Sequence, residues 1–185
     1  MEKRAYIIHG WGGNPESNWF PWLKKELEAK NIKTAILAMP DSDLPKMNAW
    51  LSRMQKEIFN PDENVYLVGH SLGGIAILRY LEALPEGKQI GGAVLAAGFS
   101  ESIGTKEIDN FFDKPVDYGK IKKSAKKITA INSDNDPFVP IKQGEILRDR
   151  LNAKLVILKN AYHMNWRNNF FKMPEVLDEL LELMK

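Results

Sequence analysis

No part of this chain constrains its fold more than Gly69-His70-Ser71-Leu72-Gly73. An apolar run, residues 64–68 (NVYLV), leads straight into it. A stretch rich in small and apolar residues, 72–84, leaves it. A strand that becomes a helix within so few residues forces its corner residue into a strained conformation and lifts that side chain above the sheet. Glycine on each side of the corner removes the Cβ atoms that would collide with the turn's neighbours. Gly74 adds a further small residue where helix and sheet are expected to pack closely. Ser71 at such a corner reads as a nucleophile; the bland alternative is an incidental serine in a strand–helix turn, which the flanking pattern disfavours.

The rest of the chain alternates in the same way. Residues 4–9, 33–37, 64–68, 90–96, 127–132 and 154–158 read as strands. Residues 19–30, 47–59, 72–84, 141–151 and 174–184 read as helices, with Asn31 and Pro61 as stops. Short strands alternating with helices imply a parallel sheet covered on both faces, an α/β fold in three layers. Residues 98–119 are the least regular; Phe111, Phe112, Pro115 and Tyr118 mark them as a packed loop.

Composition bounds the function. At 185 residues the chain is the size of one domain, 1–185, able to bury a core without staples. Zero cysteines exclude disulfides, thiolate metal sites and a cysteine nucleophile. Lys+Arg 26 against Asp+Glu 24 leaves a formal charge of +2, too small to indicate a nucleic-acid partner. The first apolar run, Ala5 to Ile8, is too short for a signal peptide or a membrane span, so a cytoplasmic protein is expected.

A serine nucleophile needs a base, and the base needs a group that fixes its tautomer. On a strand–corner–helix scaffold of this kind the chain order is serine, acid, histidine. Of three histidines only His163 follows Ser71; His9 reads as shaping its loop, and His70 is poorly placed to reach its neighbour's hydroxyl. The loop after the fifth strand supplies two acids, Asp134 and Asp136, the latter braced by Pro137 and Pro140. An oxyanion wants two backbone N–H donors: Leu72, after the nucleophile, and one from His9-Gly10-Trp11-Gly12-Gly13. Trp11 is the first choice there, with Gly10 and Gly12 as alternatives. Trp11, Phe111, Phe112, Phe138 and Trp166 are candidate pocket walls, each weighed against simple core packing.

Other signals are weaker. Gly10-x-Gly12 meets Pro15 where a dinucleotide loop needs its third glycine, and there is no phosphate-loop motif. No metal constellation is expected. Lys120, Lys122, Lys123, Lys126 and Lys127 read as a solvated helix end rather than an anion-binding surface.

Four stretches together resemble one family: residues 9–15 with 18–23, residues 69–73, residues 111–118, and residues 134–140. The chain resembles the small α/β-hydrolase-fold serine hydrolases typified by retinoblastoma-binding protein 9. The resemblance covers nearly the whole chain. It implies a reduced hydrolase fold of about six strands in the order 2-1-3-4-5-6, without a cap domain, and a site at most partly covered by residues 98–119. It implies Ser71 as nucleophile, His163 as base and Asp136, rather than Asp134, as acid. Cleavage of a small-molecule acyl substrate, a carboxylic ester or a relative of one, without a cofactor, is then expected. A thioesterase, amidase or peptidase on the same residues, or a catalytically idle binding protein, are the alternatives. Two departures stand out. In the family the histidine often lies between glycine and phenylalanine; here the sequence is Tyr162-His163-Met164. The namesake's Leu-x-Cys-x-Glu partner motif is impossible without cysteine, so that partner is not carried over.

Overall fold

In a computed structural model, residues 2–185 are described. The chain runs β1 (Arg4–Ile8), α1 (Phe20–Glu28), β2 (Lys33–Leu37), α2 (Met47–Glu57), β3 (Val65–His70), α3 (Leu72–Glu82), β4 (Ile90–Ala96), a 3-10 segment (Lys106–Phe112), α4 (Tyr118–Ser124), β5 (Ala125–Ser133), α5 (Ile141–Leu151), β6 (Lys154–Leu158), a 3-10 turn (Trp166–Asn168) and α6 (Pro174–Leu183). The six strands form one parallel sheet in the order β2-β1-β3-β4-β5-β6. This is the three-layer α/β arrangement expected from the sequence.

Strand periodicity sorts the core onto two faces. Leu67, Ala93, Leu95 and Ala130 face α2, α3, α4 and α5, where Trp50, Met54, Ile75, Leu78 and Leu147 complete one cluster. Val68, Val94, Ala96 and Ile131 face the other way, against Phe20, Leu23 and Leu27 of α1 and Val176 and Leu180 of α6. The central strands β3 and β4 are buried along their whole length, as a parallel sheet covered on both sides requires.

α4 carries Lys120, Lys122 and Lys123 of the cluster read as a helix end and starts at Tyr118, inside the segment read as loop; Lys126 and Lys127 belong instead to β5. Asp117 caps α4, its carboxylate accepting from Lys120 N–H at 2.9 Å. The rest of that segment contains only one 3-10 stretch, tied down to α3. Arg79 donates from Nε to Phe111 O (2.9 Å) and from its other nitrogens to the Lys114 and Pro115 carbonyls. It also pairs with Glu82 at 2.8 Å, and Glu82 accepts from Asp117 N–H. No helix among the described residues is long and apolar enough to cross a membrane.

Candidate active site

All the candidate residues lie past the C-terminal ends of strands, the edge where open α/β sheets present their sites. Ser71 is the single residue between β3 and α3. Its φ of 54° and ψ of −120° place it in a region that costs a non-glycine residue about 1–3 kcal/mol. Two backbone bonds hold it there: its N–H donates to Ala96 O (2.9 Å), and its carbonyl accepts from Gly74 N–H (2.8 Å). A Cβ on Gly73 would fall 2.2 Å from Ile8 O, and one on Gly69 would fall 2.7 Å from the Gly73 carbonyl. The close approach expected at Gly74 sits one residue earlier: the nearest atom to a Cβ on Gly74 is 3.5 Å away.

The loop after β1 lies against this corner. A Cβ on Gly10 would sit 3.2 Å from both Ser71 Cβ and His70 O. Within that loop, Gly12 N–H donates to Ser42 O (2.8 Å) and Gly13 N–H to Gly10 O (3.1 Å). Those two donors are therefore committed. His9 is buried and structural: Nδ1–H donates to Gly10 O (2.8 Å) and Nε2 accepts from Met39 N–H (3.1 Å). Burial lowers its pKa, which keeps the ring neutral in this role.

His163 and Asp136 meet. His163 Nδ1–H donates to Asp136 Oδ2 at 2.8 Å, which leaves Nε2 as the free acceptor. The other carboxylate oxygen accepts from Phe138 N–H (2.9 Å) and Val139 N–H (3.0 Å), so both oxygens of Asp136 are engaged. Asp134 goes elsewhere: it accepts from Asn160 N–H at 2.8 Å. Ser71 is partly exposed, and its hydroxyl makes no hydrogen bond among the described residues. The link between the serine corner and the histidine loop runs through His70, whose Nε2–H donates to His163 O (2.9 Å); the two rings lie 4.9 Å apart.

The pocket candidates separate. Phe138 is exposed and lies edge-on to His163, with ring centroids 5.1 Å apart. Trp11 is half exposed, its indole N–H bound to Asp43 O (2.9 Å). Trp166 is exposed, with Arg167 over its ring. Phe112 stacks on Phe99 and is partly buried. Phe111 is corrected to a core residue: it is only 1% exposed, wedged against the edge of Trp50, and has no surface left for a ligand. A charged groove of about 490 Å³, lined by Lys122, Lys127, Lys154 and Glu179, lies at the opposite end of the sheet, where β5 and β6 begin.

A six-stranded parallel sheet in this order, with a serine on the tight corner between the third strand and its helix, is an α/β-hydrolase fold. Residues 5–182 match the family described as serine hydrolase, and the chain belongs to that family. It is 39% identical to YdeN of Bacillus subtilis over 181 residues, 97% of this chain and 95% of the relative. The crystal structure of that protein superposes with a TM-score of 0.95, covering 98% of each chain at 37% identity. The serine hydrolase RBBP9 of Rattus norvegicus is 29% identical over 183 residues, 96% of this chain and 95% of that one. A bromoperoxidase from Bacillus anthracis (TM-score 0.75, 14% identity, 100% of this chain and 92% of that one) shares the fold alone.

Proposed function

We propose that this protein hydrolyses carboxylic esters or closely related acyl compounds through an acyl-enzyme on Ser71. The observation that carries this reading is that a strained, partly exposed serine and a histidine whose tautomer is fixed by a buried carboxylate lie at the same edge of the sheet, their segments tied by the bond from His70 to the His163 carbonyl.

His163 Nε2, left free by the Asp136 bond, takes the Ser71 hydroxyl proton as Oγ attacks the substrate carbonyl. The carbonyl oxygen becomes an oxyanion held by the Leu72 N–H, at the start of an eleven-residue helix, and by the Trp11 N–H. The commitment of the Gly12 and Gly13 donors supports Trp11 over Gly12. His163 then returns the proton to the leaving alcohol as the acyl–oxygen bond breaks. A water attacks the acyl-serine, giving its proton to His163, and the carboxylic acid leaves as Ser71 regains its hydrogen. Asp136 stabilises the imidazolium throughout without taking the proton. The exposed rings of Phe138 and Trp11 flank the acyl group in this reading.

The test is hydrolysis of p-nitrophenyl esters of graded acyl length, beside matched thioesters and anilides, by wild-type protein and the His163→Ala variant. Ester cleavage that falls by several orders of magnitude in the variant is expected. Cleavage unchanged in the variant, or confined to anilides or thioesters, would contradict the proposal.

A further inference from the structure

The loop that carries His163 is held at five consecutive residues. Asn160 N–H donates to Asp134 Oδ1 (2.8 Å), Ala161 N–H to Ser133 Oγ (3.0 Å) and Tyr162 N–H to Asn135 Oδ1 (2.8 Å). His163 donates from Nδ1 to Asp136 and accepts at its carbonyl from His70, and the Met164 carbonyl accepts from the buried Trp19 indole (3.0 Å). Four successive side chains, residues 133–136, thus grip four successive residues, 160–163. The grip is cross-tied, since Ser133 Oγ–H donates to Asn135 Oδ1 at 2.8 Å.

The loop needs holding because its backbone is unfavourable. Asn160 (φ 54°), Tyr162 (φ 50°) and Met164 (φ 52°) all lie in the left-handed region. Asparagine tolerates that region; a bulky aromatic or a methionine does so only where its surroundings enforce it. Tyr162 is exposed, so side-chain packing does little to enforce it. Two bonds fix the turn that Tyr162 opens just before His163: Met164 N–H to Ala161 O (3.1 Å) closes it, and Tyr162 N–H to Asn135 Oδ1 (2.8 Å) anchors its first corner.

We infer that Asn135 is a positioning residue: by accepting from Tyr162 N–H it holds the strained turn that aims His163 at Ser71. The inference rests on the acyl-transfer reading of the site. It predicts a specific remedy: glycine at 162 adopts φ 50° without strain, so the loop should then no longer require Asn135.

The experiment measures p-nitrophenyl ester kinetics and the rate of Ser71-dependent fluorophosphonate labelling for wild type, N135A, Y162G and N135A/Y162G, with folding checked by circular dichroism. N135A should lose roughly 10- to 100-fold in kcat, as misaimed catalytic groups do, with KM within about twofold. Y162G should stay near wild type, and N135A/Y162G should return to within about threefold of Y162G, the strain having been removed. Should N135A not fold, the double variant carries the test: folded and active supports the inference. Wild-type kcat in N135A, or a double variant as slow as N135A or unfolded, would overturn it. A wild-type protein without Ser71-dependent labelling would overturn the acyl-transfer reading, and this inference with it.

Discussion

His70 Nε2–H donates to the carbonyl oxygen of His163 over 2.9 Å, so the residue before the serine holds the loop that carries the candidate base. His70 is packed between the rings of Trp19, Phe20 and His163. Burial, and after it the neighbouring His163, pushes its pKa down to about 3. An unfolded chain would protonate this histidine near its ordinary 6.5. Below that pH the unfolded state takes up a proton that the native state refuses. The stability tied to neutral His70 is therefore whole above about pH 6.5 and drains away as pH falls towards about 3. His70→Asn removes this titration. Urea unfolding between pH 7.5 and 4.5 should show a shallower acid decline in the variant, by about 2–3 kcal/mol at pH 4.5, whatever its absolute stability. Parallel declines would mean that His70 protonates in the folded protein.

The two acids of one loop make opposite forecasts. Asp136 engages the His163 ring, whereas Asp134 accepts only from a backbone N–H. Asp136→Asn should lower kcat by roughly four orders of magnitude, because an amide favours the wrong histidine tautomer. Asp134→Asn keeps the acceptor oxygen that Asn160 uses and should leave kcat within a few-fold. Steady-state ester kinetics of the two variants separate them, and equal losses would count against Asp136 as the orienting acid.

Neighbouring glycines should behave differently. Gly73→Ala would drive a Cβ to 2.2 Å from Ile8 O, a backbone atom that cannot step aside. Gly74→Ala meets only ordinary contacts from 3.5 Å outward, inside a helix. Gly73→Ala should fail to fold or lose more than about 4 kcal/mol. Gly74→Ala should be neutral or gain up to about 1 kcal/mol from helix propensity. Thermal melts of the pair decide the matter; a stable Gly73→Ala protein would mean that α3 can move away from Ile8 O at little cost.

Arg79 and Glu82 form a buried ion pair whose side chains are 2% and 7% exposed. Glu82→Gln leaves the guanidinium uncompensated and should cost about 3–5 kcal/mol in urea unfolding. The Arg79 bonds to the carbonyls of Phe111, Lys114 and Pro115 should weaken with it. Limited proteolysis should then cut first between residues 98 and 117. Cleavage elsewhere, at wild-type rates, would show that the pair does not anchor this segment.

Much of the scaffold was legible in the sequence because its elements bury regular stripes. Lys33–Leu37, Ile90–Ala96, Ile141–Leu151 and Lys154–Leu158 have the ends that apolar runs and their stops predict. The lysines mark a helix end at α4, but its extent is not legible because Tyr118–Ser124 has seven residues, a glycine, three lysines and only Ile121 as a buried apolar anchor. β5 begins at Ala125, two residues before the expected start, because Lys126 and Lys127 hide its first turn of pairing behind exposed charge. Local patterns singled out Ser71 and chain order singled out His163. Which aspartate faces His163 depends on how two distant loops meet, and spacing cannot express that. Phe111 stands in the sequence as wall and core candidate alike, because aromatic composition does not distinguish a core from a rim; its contact with Trp50 crosses some sixty positions of sequence. His70 and Asn135 went unseen for the same reason, their partners lying on the distant loop at 160–163.

Labelling tests Ser71 as the nucleophile most directly. Wild-type protein treated with a fluorophosphonate and examined by peptide mass spectrometry should carry a single phosphonyl adduct, on the peptide containing Ser71, and Ser71→Ala should carry none while keeping the wild-type fold. Equal labelling of the Ser71→Ala protein, or no adduct on folded wild type, would show that Ser71 is not the nucleophile.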